Sequence, residues 1–331
     1  MKKTWFRSVP LILFALAPLT ASAEKNPPLP PPFETPSVQR QSTVIGWPEG
    51  VTPKAPEGYT VELFAELESP RLLMALPSGD ILVSQAVKHP DDSGEKSPDK
   101  ISLLKIRDGK VSEVATFLED LHLPFGMAVW KNQFFVGEPE AVKVFPYDPK
   151  TQSITGPGRV IAELPFPKPQ RHWTRDLRIS PDGSKLYVSV GSVSNVGEGG
   201  DPLDPRTAAI LEMNLDGSEG RVFAGGVRNA VTMAFHPETK QLWVVVNERD
   251  ELGDDLVPDY LTAPKEGGFY GWPYAYWGPN EDPRRAGENP ELVAKTLRPD
   301  FSVGAHTASL GLTFTMGTKI PAPFDRGALI A

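Results

Sequence analysis

The sequence contains no cysteine among its 331 residues. Without cysteine the chain can form no disulfide and can offer no thiolate to a metal ion or an iron–sulfur cluster. Covalent attachment of haem through a C-x-x-C-H motif is excluded for the same reason. Any redox centre in this protein must therefore be held by other side chains.

The chain also lacks basic runs and the short motifs of several enzyme classes. Its formal net charge is −8 at pH 7, and an acidic surface argues against binding to nucleic acid or to anionic membranes. No G-x-S-x-G, H-E-x-x-H, Walker or dinucleotide-binding fingerprint occurs in the sequence. No single motif therefore assigns an activity.

Residues 1–23 have the pattern of a secretory signal peptide. A basic start at Lys2 and Lys3 precedes an apolar run from Val9 to Leu19, and Ala21-Ser22-Ala23 supplies a small-residue cleavage pattern. The run is shorter than the roughly 20 apolar residues that span a bilayer, and no second long apolar segment follows. We therefore predict cleavage after residue 23 and export to the periplasm or the medium, with no membrane span in the mature protein.

Residues 24–56 form a proline-rich leader centred on Pro27-Pro28-Leu29-Pro30-Pro31-Pro32. Such a segment is extended and cannot build a core, so we interpret it as a spacer or a strap rather than a recognition ligand. Residues 57–331 then form a single domain. The whole chain contains 36 prolines and 29 glycines, which is typical of many short strands joined by turns.

Strand–turn–strand patterns recur along this domain at a nearly constant interval. They begin at Met74, Met127, Leu177 and Met233, so the successive intervals are 53, 50 and 56 residues, and a fifth begins at Leu312. Repeats of about 40–50 residues with four strands each are typical of propeller blades. A β-sandwich, the alternative all-β fold, lacks so regular a period. The sequence therefore predicts an all-β protein with the β-propeller fold.

The last two features of the repeat pattern concern its end. Residues 250–305 are predicted to form a long insertion before the fifth repeat, and Gly327 to Ala331 has the pattern of a strand. A propeller closes by joining its last blade to its first, so an end at this point leaves an open edge. We therefore expect an incomplete propeller with about five blades' worth of sequence.

Four loop clusters carry side chains that are suited to chemistry. The clusters are Arg171–Asp176, which contains His172; Gly225–Asn229; Asn247–Asp255, with five carboxylates; and the glycine-aromatic segment Gly267–Tyr274. Each also has a plainer explanation: in the same order, a charged loop, a simple turn, a solvated acidic loop and a plug for one end of the propeller. Carboxylates in such number favour a hard cation, and calcium above all, although the spacing is not that of an EF-hand.

The other four histidines are weaker candidates for a catalytic role than His172. His89 and His236 are expected in polar surface loops or turns, and the roles of His122 and His306 stay open. His172 differs because it stands among cations and a carboxylate directly before a strand, which places it on one rim of a propeller.

The clusters, taken in order, resemble those of the soluble PQQ-dependent sugar dehydrogenases, and especially their sorbosone-dehydrogenase branch. The resemblance runs from about residue 59 to the end of the chain. It depends on His172-x-Thr174-Arg175, Ser180 to Ser192, Gly226 to Val231, Asn247 to Asp250, Gly267 to Pro273 and His306 to Leu312.

This resemblance implies a six-bladed propeller with PQQ and calcium on one face. His172 would be the general base that takes a hydroxyl proton, while Arg228 would hold the quinone oxygens and Asn229 would hydrogen-bond the cofactor. Arg175 is a further candidate for cofactor contact. Asp176 is hypothesised to orient His172, because the two residues are close in sequence.

The same resemblance implies that calcium is bound by backbone carbonyls near Asp250 and Glu251, where it would polarise the reacting carbonyl. The expected activity is oxidation of an aldose or aldehyde with an external electron acceptor. The lysine and arginines that hold the cofactor carboxylates in relatives have no counterpart before residue 331, so a chain that ended there should bind PQQ weakly. Two alternatives stay open: a calcium-dependent lactonase, whose metal ligands would come from several blades, and a degenerate propeller that only binds.

Overall fold

Short antiparallel strands account for most of the regular structure in the computed structural model, which describes residues 28–40, 43, 45–88, 96–167, 172–198 and 203–331. The predicted signal peptide, His89 and Arg171 lie outside these residues. Helix is confined in them to one 3-10 turn, Pro283–Arg285, and one short α-helix, α1 (Pro290–Lys295). Within the described part of the chain, no helix is long and apolar enough to cross a membrane.

Four sheets of four or five strands follow one another along the chain. The first contains β1 (Pro70–Ala75), β2 (Ile81–Gln85), β3 (Lys100–Arg107) and β4 (Lys110–Leu118). The second contains β5 (Met127–Trp130), β6 (Gln133–Glu138), β7 (Ala141–Asp148), β8 (Ser153–Ile154) and β9 (Arg159–Glu163).

The next two sheets carry most of the candidate residues. The third contains β10 (Leu177–Ile179), β11 (Leu186–Val190), β12 (Ala209–Met213) and β13 (Arg221–Gly225), with β17 (Gly268–Phe269) added in parallel to β13. The fourth contains β14 (Asn229–Phe235), β15 (Leu242–Asn247), β16 (Pro258–Thr262) and β20 (Phe301–Ala305). Two-stranded sheets are formed by β18 (Ala275–Tyr276) with β19 (Asn280–Glu281) and by β21 (Leu312–Phe314) with β22 (Ala328–Ile330).

The hairpins predicted from the repeat are present in register. Met74 faces Leu82 across β1 and β2, and the hairpins β5–β6, β10–β11 and β14–β15 are paired in the same antiparallel manner. The strand predicted at the end of the chain is β22, which pairs with β21. The all-β propeller is therefore confirmed as a ring of sheets, and the count of six blades stays a prediction.

One boundary was predicted wrongly. The segment 250–305 is not a single insertion, because β16 and β20 at its two ends are the third and fourth strands of the fourth sheet. Only the residues between these strands leave the blade. They fold over the third sheet through β17. The glycine-aromatic pattern led to the interpretation of the whole segment as one insertion, so the strands at its ends were not predicted.

Apolar side chains fill the spaces between successive sheets. Leu82 and Ile101 of the first sheet pack with Met127 and Phe134 of the second. Corresponding clusters join the second sheet to the third, the third to the fourth, and the fourth to β21 and β22. Face-to-face packing of this kind places the first strand of each sheet next to the central axis, where a propeller carries its ligand site.

The proline-rich leader lies against the loop that follows β15. The backbone N–H of Phe33 donates to the Leu252 carbonyl at 2.7 Å, and the N–H of Val38 donates to the Asp254 carboxylate at 2.8 Å. Gly253 donates to the Ser37 hydroxyl at 3.1 Å. The described part of the leader thus acts as a strap across the acidic loop.

Candidate active site

A cavity of about 1070 Å³ opens where the first strands of the sheets converge. Its walls come from β1, β5, β10, β14, β21 and β22, together with the loop before β10. The polar and aromatic side chains that line it include Arg71, His172, Trp173, Asn229 and Asn247. His172 and Asn229, from two of the four predicted loop clusters, therefore share one cavity at the centre of the ring.

His172 is held in one tautomer by its contact with Ser192. Its Nδ1 lies 2.9 Å from the Ser192 carbonyl oxygen and 3.1 Å from the Ser192 hydroxyl oxygen. Because a carbonyl oxygen can only accept, Nδ1 carries the proton, and Nε2 of the neutral ring keeps its lone pair. The imidazole is thus set up to accept a proton at Nε2.

Ser192 is itself fixed within the structure. It is fully buried, its backbone N–H donates to the Arg228 carbonyl at 2.7 Å, and its hydroxyl donates to the Ser194 carbonyl at 2.7 Å. The carbonyl that orients His172 is therefore tied to the chain segment that carries Asn229.

Gly191 brings His172 and Asn229 together. A Cβ at this glycine would lie 2.5 Å from the His172 Cβ and 2.6 Å from the Asn229 Oδ1, closer than real atoms approach. Only glycine permits the two side chains to occupy these positions on either side of the backbone.

The buried Asn229 amide leaves one polar atom unsatisfied. Its Oδ1 has no hydrogen-bond partner among the described residues, and a buried acceptor without a donor costs about 1–3 kcal/mol. The atom belongs to a residue that lines the cavity. The Oδ1 atom itself has almost no exposed surface, so a donor on a bound molecule would reach it only after the amide turns toward the cavity.

Arg228 has a different environment from the one expected. Its guanidinium is buried and donates to the carbonyl oxygens of Asn195 and Glu248 and to the Asn195 side-chain oxygen, at 2.9 Å for the last of these. Burial lowers the pKa of Arg228, and the nearby Glu248 and Asp250 oppose that shift. The guanidinium therefore braces the loop around the site, rather than pointing its N–H groups into the cavity.

Arg175 is also committed to the backbone. It is fully buried and donates to the carbonyls of Pro139 at 3.0 Å, His172 at 3.1 Å and Thr174 at 2.9 Å, with Pro165 as a fourth partner. Burial lowers its pKa to about 9. These bonds clamp the loop that carries His172, and contact between Arg175 and a cofactor stays a prediction.

Asp176 does not orient His172 in this structure. Its carboxylate accepts from Arg178 at 2.8 Å and from the Met233 N–H at 2.7 Å, and so it joins β10 to β14. Burial raises the pKa of Asp176, against the opposing effect of Arg178. The hypothesis failed because nearness in sequence does not fix direction: Asp176 lies at the buried start of β10, whereas the ring of His172 faces Ser192.

The loop that was predicted to bind calcium is occupied by cationic side chains. The Asp250 carbonyl accepts from the Asn195 amide at 3.1 Å and from the Arg284 guanidinium at 2.8 Å. The Asp250 carboxylate lies 3.5 Å from Arg228 and 3.4 Å from the His306 ring, and the Glu251 carboxylate lies 3.8 Å from Arg284. No group of three or more metal-ligating side chains occurs in the described part of the chain. One guanidinium on the Asp250 carbonyl and a second beside its carboxylate do not fit a calcium ion in this arrangement.

The glycine-aromatic segment packs into the core instead of lining the cavity. Tyr270 belongs to the cluster between the third and fourth sheets, and Trp272 donates to the Asn195 carbonyl at 3.0 Å. The buried Arg249 anchors the same segment through the carbonyls of Pro273 and Ala275.

The remaining described histidines have local partners. His236 accepts two backbone N–H groups in a blade turn, in keeping with the predicted turn role. His122 lies 2.7 Å from the Glu140 carboxylate, and His306 lies 2.9 Å from the Gly253 carbonyl. None of these three lines the central cavity.

Sequence analysis missed three residues that shape the site. They are Ser192, which orients His172; Asn195, which links Arg228 to Asp250; and Arg71, which lies in an inner strand. Only Arg71 left a signal, since a cation is unexpected in an otherwise apolar inner strand.

Comparisons with known proteins agree with this architecture. A family model described as TrAA12-like matches residues 53–319. An uncharacterized protein of Borreliella burgdorferi is 27% identical over 294 residues, which are 85% of this chain and 72% of that protein.

Two solved structures share the fold. A calcium structure of a Trichoderma reesei carbohydrate-active enzyme of family AA12 has a TM-score of 0.64 at 20% identity, over 80% of this chain and 75% of that one. The holo form of the pyranose dehydrogenase PQQ domain from Coprinopsis cinerea has a TM-score of 0.61 at 18% identity, over 76% of this chain and 69% of that one. The family match covers far more than half of the chain, so the protein belongs to the TrAA12-like family, which has the fold of the PQQ-dependent sugar dehydrogenases, and the resemblance inferred from its loop motifs is confirmed.

Proposed function

We propose that the protein oxidises a CH–OH group of an aldose, or of a hydrated aldehyde, with PQQ bound in the central cavity. The observation that carries the proposal is the position of His172 in the cavity, with its Nδ1–H facing the Ser192 carbonyl, so that Nε2 carries the lone pair of the neutral ring. Solved proteins with this fold include a pyranose dehydrogenase PQQ domain, which supports the same class of reaction.

The residues present fit a quinone cofactor at this position. A rotation of the Asn229 amide would bring its unsatisfied Oδ1 to a bound donor, and the cavity is wide enough for a tricyclic molecule and a sugar ring. When bound there, PQQ would supply the acceptor for one hydride, which carries both electrons of the oxidation. Asn229 and the walls of the cavity would hold it.

His172 performs the proton step. Its Nε2 takes the hydroxyl proton of the substrate while the adjacent C–H bond is broken. The ring then carries a positive charge, and the Nδ1–H bond to the Ser192 carbonyl becomes charge-assisted and stronger. Ser192 thus stabilises the protonated base without changing its position.

Arg228 and Arg175 support this step from outside the cavity. The buried charge of Arg228 adds positive potential next to Asn229, which favours negative charge that develops on a bound quinone. Arg175 holds the carbonyls on either side of Trp173 and so fixes the position of the base in the loop. Arg175 is therefore a positioning residue.

The finer parts of the proposal concern the substrate, the acceptor and the compartment. The sorbosone-dehydrogenase pattern of the loops favours a sugar or a sugar-derived aldehyde, with electrons passed to an external acceptor. The N-terminal pattern favours action in the periplasm or outside the cell. A calcium requirement is proposed on the resemblance alone, and it would need the Asp250 loop to rearrange.

The test is reduction of an artificial dye by purified protein with a panel of aldoses and aldehydes. We expect dye reduction only when PQQ and a sugar are both present, and a slower rate with sugar deuterated at C1. Calcium is included or omitted in parallel assays. No reduction with any sugar, from protein that binds PQQ, would show that the chain binds the cofactor without this chemistry.

A further inference from the structure

The central cavity has a charge opposite to that of the protein. The chain is acidic overall, with a formal charge of −8, yet among the residues that the structure describes no aspartate or glutamate side chain lines the cavity. The charged side chains in its described wall are two arginines, Arg71 and Arg178. A cavity of this kind attracts anions, because its low-dielectric walls focus the field of the cations.

Only one of these two arginines is neutralised by the protein. Arg178 lies 2.8 Å from the buried Asp176 carboxylate and also donates to the carbonyls of Leu177 and Met233. Arg71 has no hydrogen bond or ion pair with any described residue. Its contact is with the face of Trp173, whose ring centre lies 5.1 Å from the guanidinium carbon.

The stacking fixes Arg71 in a useful orientation. Trp173 makes an edge-to-face contact with Phe125, at 6.3 Å between ring centres, and both rings line the cavity. A guanidinium stacked on an indole keeps its N–H groups at its edge, where they can form two parallel bonds to a carboxylate. Burial lowers the pKa of Arg71, but an arginine side chain stays protonated in proteins.

We propose that Arg71, stacked on Trp173, is a carboxylate-binding position in the wall of the central cavity. Trp173 follows His172 directly, so the bound carboxylate belongs to a molecule in the same cavity as the base. That carboxylate can come from the quinone cofactor or from an acidic sugar such as a uronate. The role of the bound molecule in the oxidation rests on the proposed function, whereas binding of its carboxylate by Arg71 does not.

The test measures binding without turnover. Quenching of tryptophan fluorescence is titrated with PQQ, with D-galacturonate and with D-galactose, which differs from galacturonate in the carboxylate. The variants are Arg71→Gln, which removes the charge, and Arg71→Lys, which keeps the charge but loses the paired donors. The matched control is Arg298→Gln, because Arg298 also stacks on a tryptophan, Trp277, but lies outside the cavity.

We expect Arg71→Gln to weaken binding of a carboxylate ligand by about 10-fold or more, as loss of a charge-assisted bond requires. Arg71→Lys should recover only part of that loss. If Arg71→Gln weakens the binding of PQQ alone, the position is assigned to the cofactor. If it weakens the binding of galacturonate and leaves the affinity for galactose unchanged, the position is assigned to an acidic sugar.

Equal affinities in Arg71→Gln, Arg298→Gln and the wild-type protein for both carboxylates would overturn the proposal. Failure of the proposed function is separate, because it would appear as PQQ binding without dye reduction by any sugar. Thermal unfolding of each variant shows whether a loss of binding reflects a loss of fold.

Discussion

The Nδ1 atom of His172 lies 2.9 Å from the carbonyl oxygen of Ser192. This contact ties the base to the backbone rather than to a carboxylate, so no side-chain substitution at Ser192 removes it. Ser192→Ala should therefore keep most of the activity, whereas His172→Ala should lose nearly all of it. The orientation of the base depends on the loop that follows β11.

The first prediction concerns Gly191. In Gly191→Ala the new methyl group must displace His172 or Asn229, because it would lie 2.5 Å and 2.6 Å from their atoms. We expect dye reduction to fall by about 10-fold or more through loss of alignment, and the free energy of unfolding to fall by about 1–3 kcal/mol through overpacking. Steady-state rates and denaturant unfolding measure the two effects.

Gly225→Ala provides a matched control. A Cβ at Gly225 meets its nearest neighbours at 3.9 Å, which is ordinary contact. This variant should keep both activity and stability. Full activity in Gly191→Ala would contradict the placement of His172 beside Asn229.

The second prediction separates Asp176 from the base. In Asp176→Asn, Arg178 loses its buried charged partner, so we expect the free energy of unfolding to fall by about 1–3 kcal/mol. Because Asp176 bonds to Arg178 and Met233 rather than to the His172 ring, the turnover per folded molecule should change by less than about 3-fold. A loss of turnover on the scale of general base catalysis, about 10²-fold or more, would restore Asp176 as the orienting group.

The hairpins could be predicted from sequence because their signals are local. Met74 and Leu82 pair across a turn whose proline, glycine and aspartate are visible in the chain, and an apolar strand, a short polar turn and a second apolar strand also follow Met127, Leu177 and Met233. The position of β16 could not be predicted in this way. Its partner β20 begins at Phe301, and nothing in the intervening sequence marks the two as neighbours.

The loops that form the candidate site could be predicted from the sequence, but the hydrogen-bond partners of their side chains could not. The loop motifs indicated His172 and Asn229, and the structure brings both to the cavity. The sequence could not show that the guanidinium groups of Arg175 and Arg228 donate to backbone carbonyls, because most of those carbonyls belong to distant loops. It also gave no sign of Ser192 as a partner, since a backbone carbonyl carries no residue identity.

The third prediction tests whether Arg175 supports the loop or contacts the cofactor. Arg175→Lys leaves several buried carbonyls without donors, and each such group costs about 1–3 kcal/mol. We expect a marked fall in melting temperature that exceeds any loss of PQQ affinity in the protein that remains folded. The exposed Arg159→Lys serves as the control. A variant of unchanged melting temperature that fails to bind PQQ would instead support direct contact.

The fourth prediction concerns calcium at the Asp250 loop. A cation can take the Asp250 carbonyl only after Arg284 withdraws its guanidinium, which now donates to that oxygen at 2.8 Å. Arg284→Ala should therefore bind calcium more tightly than the wild-type protein, as measured by calorimetric titration. Arg285→Ala removes the same charge from the next position and should have a smaller effect. Equal calcium affinity in all three proteins would show that the ion, if bound, uses other oxygens.

The central claim is that His172 is the base of a PQQ-dependent oxidation. The most direct measurement compares His172→Gln with the wild-type protein in PQQ affinity and in dye reduction with the best sugar of the panel. We expect PQQ affinity to stay within about 3-fold while dye reduction falls by about 10²–10⁴-fold, the usual contribution of a general base. Dye reduction at the wild-type rate in a folded His172→Gln protein would contradict the account.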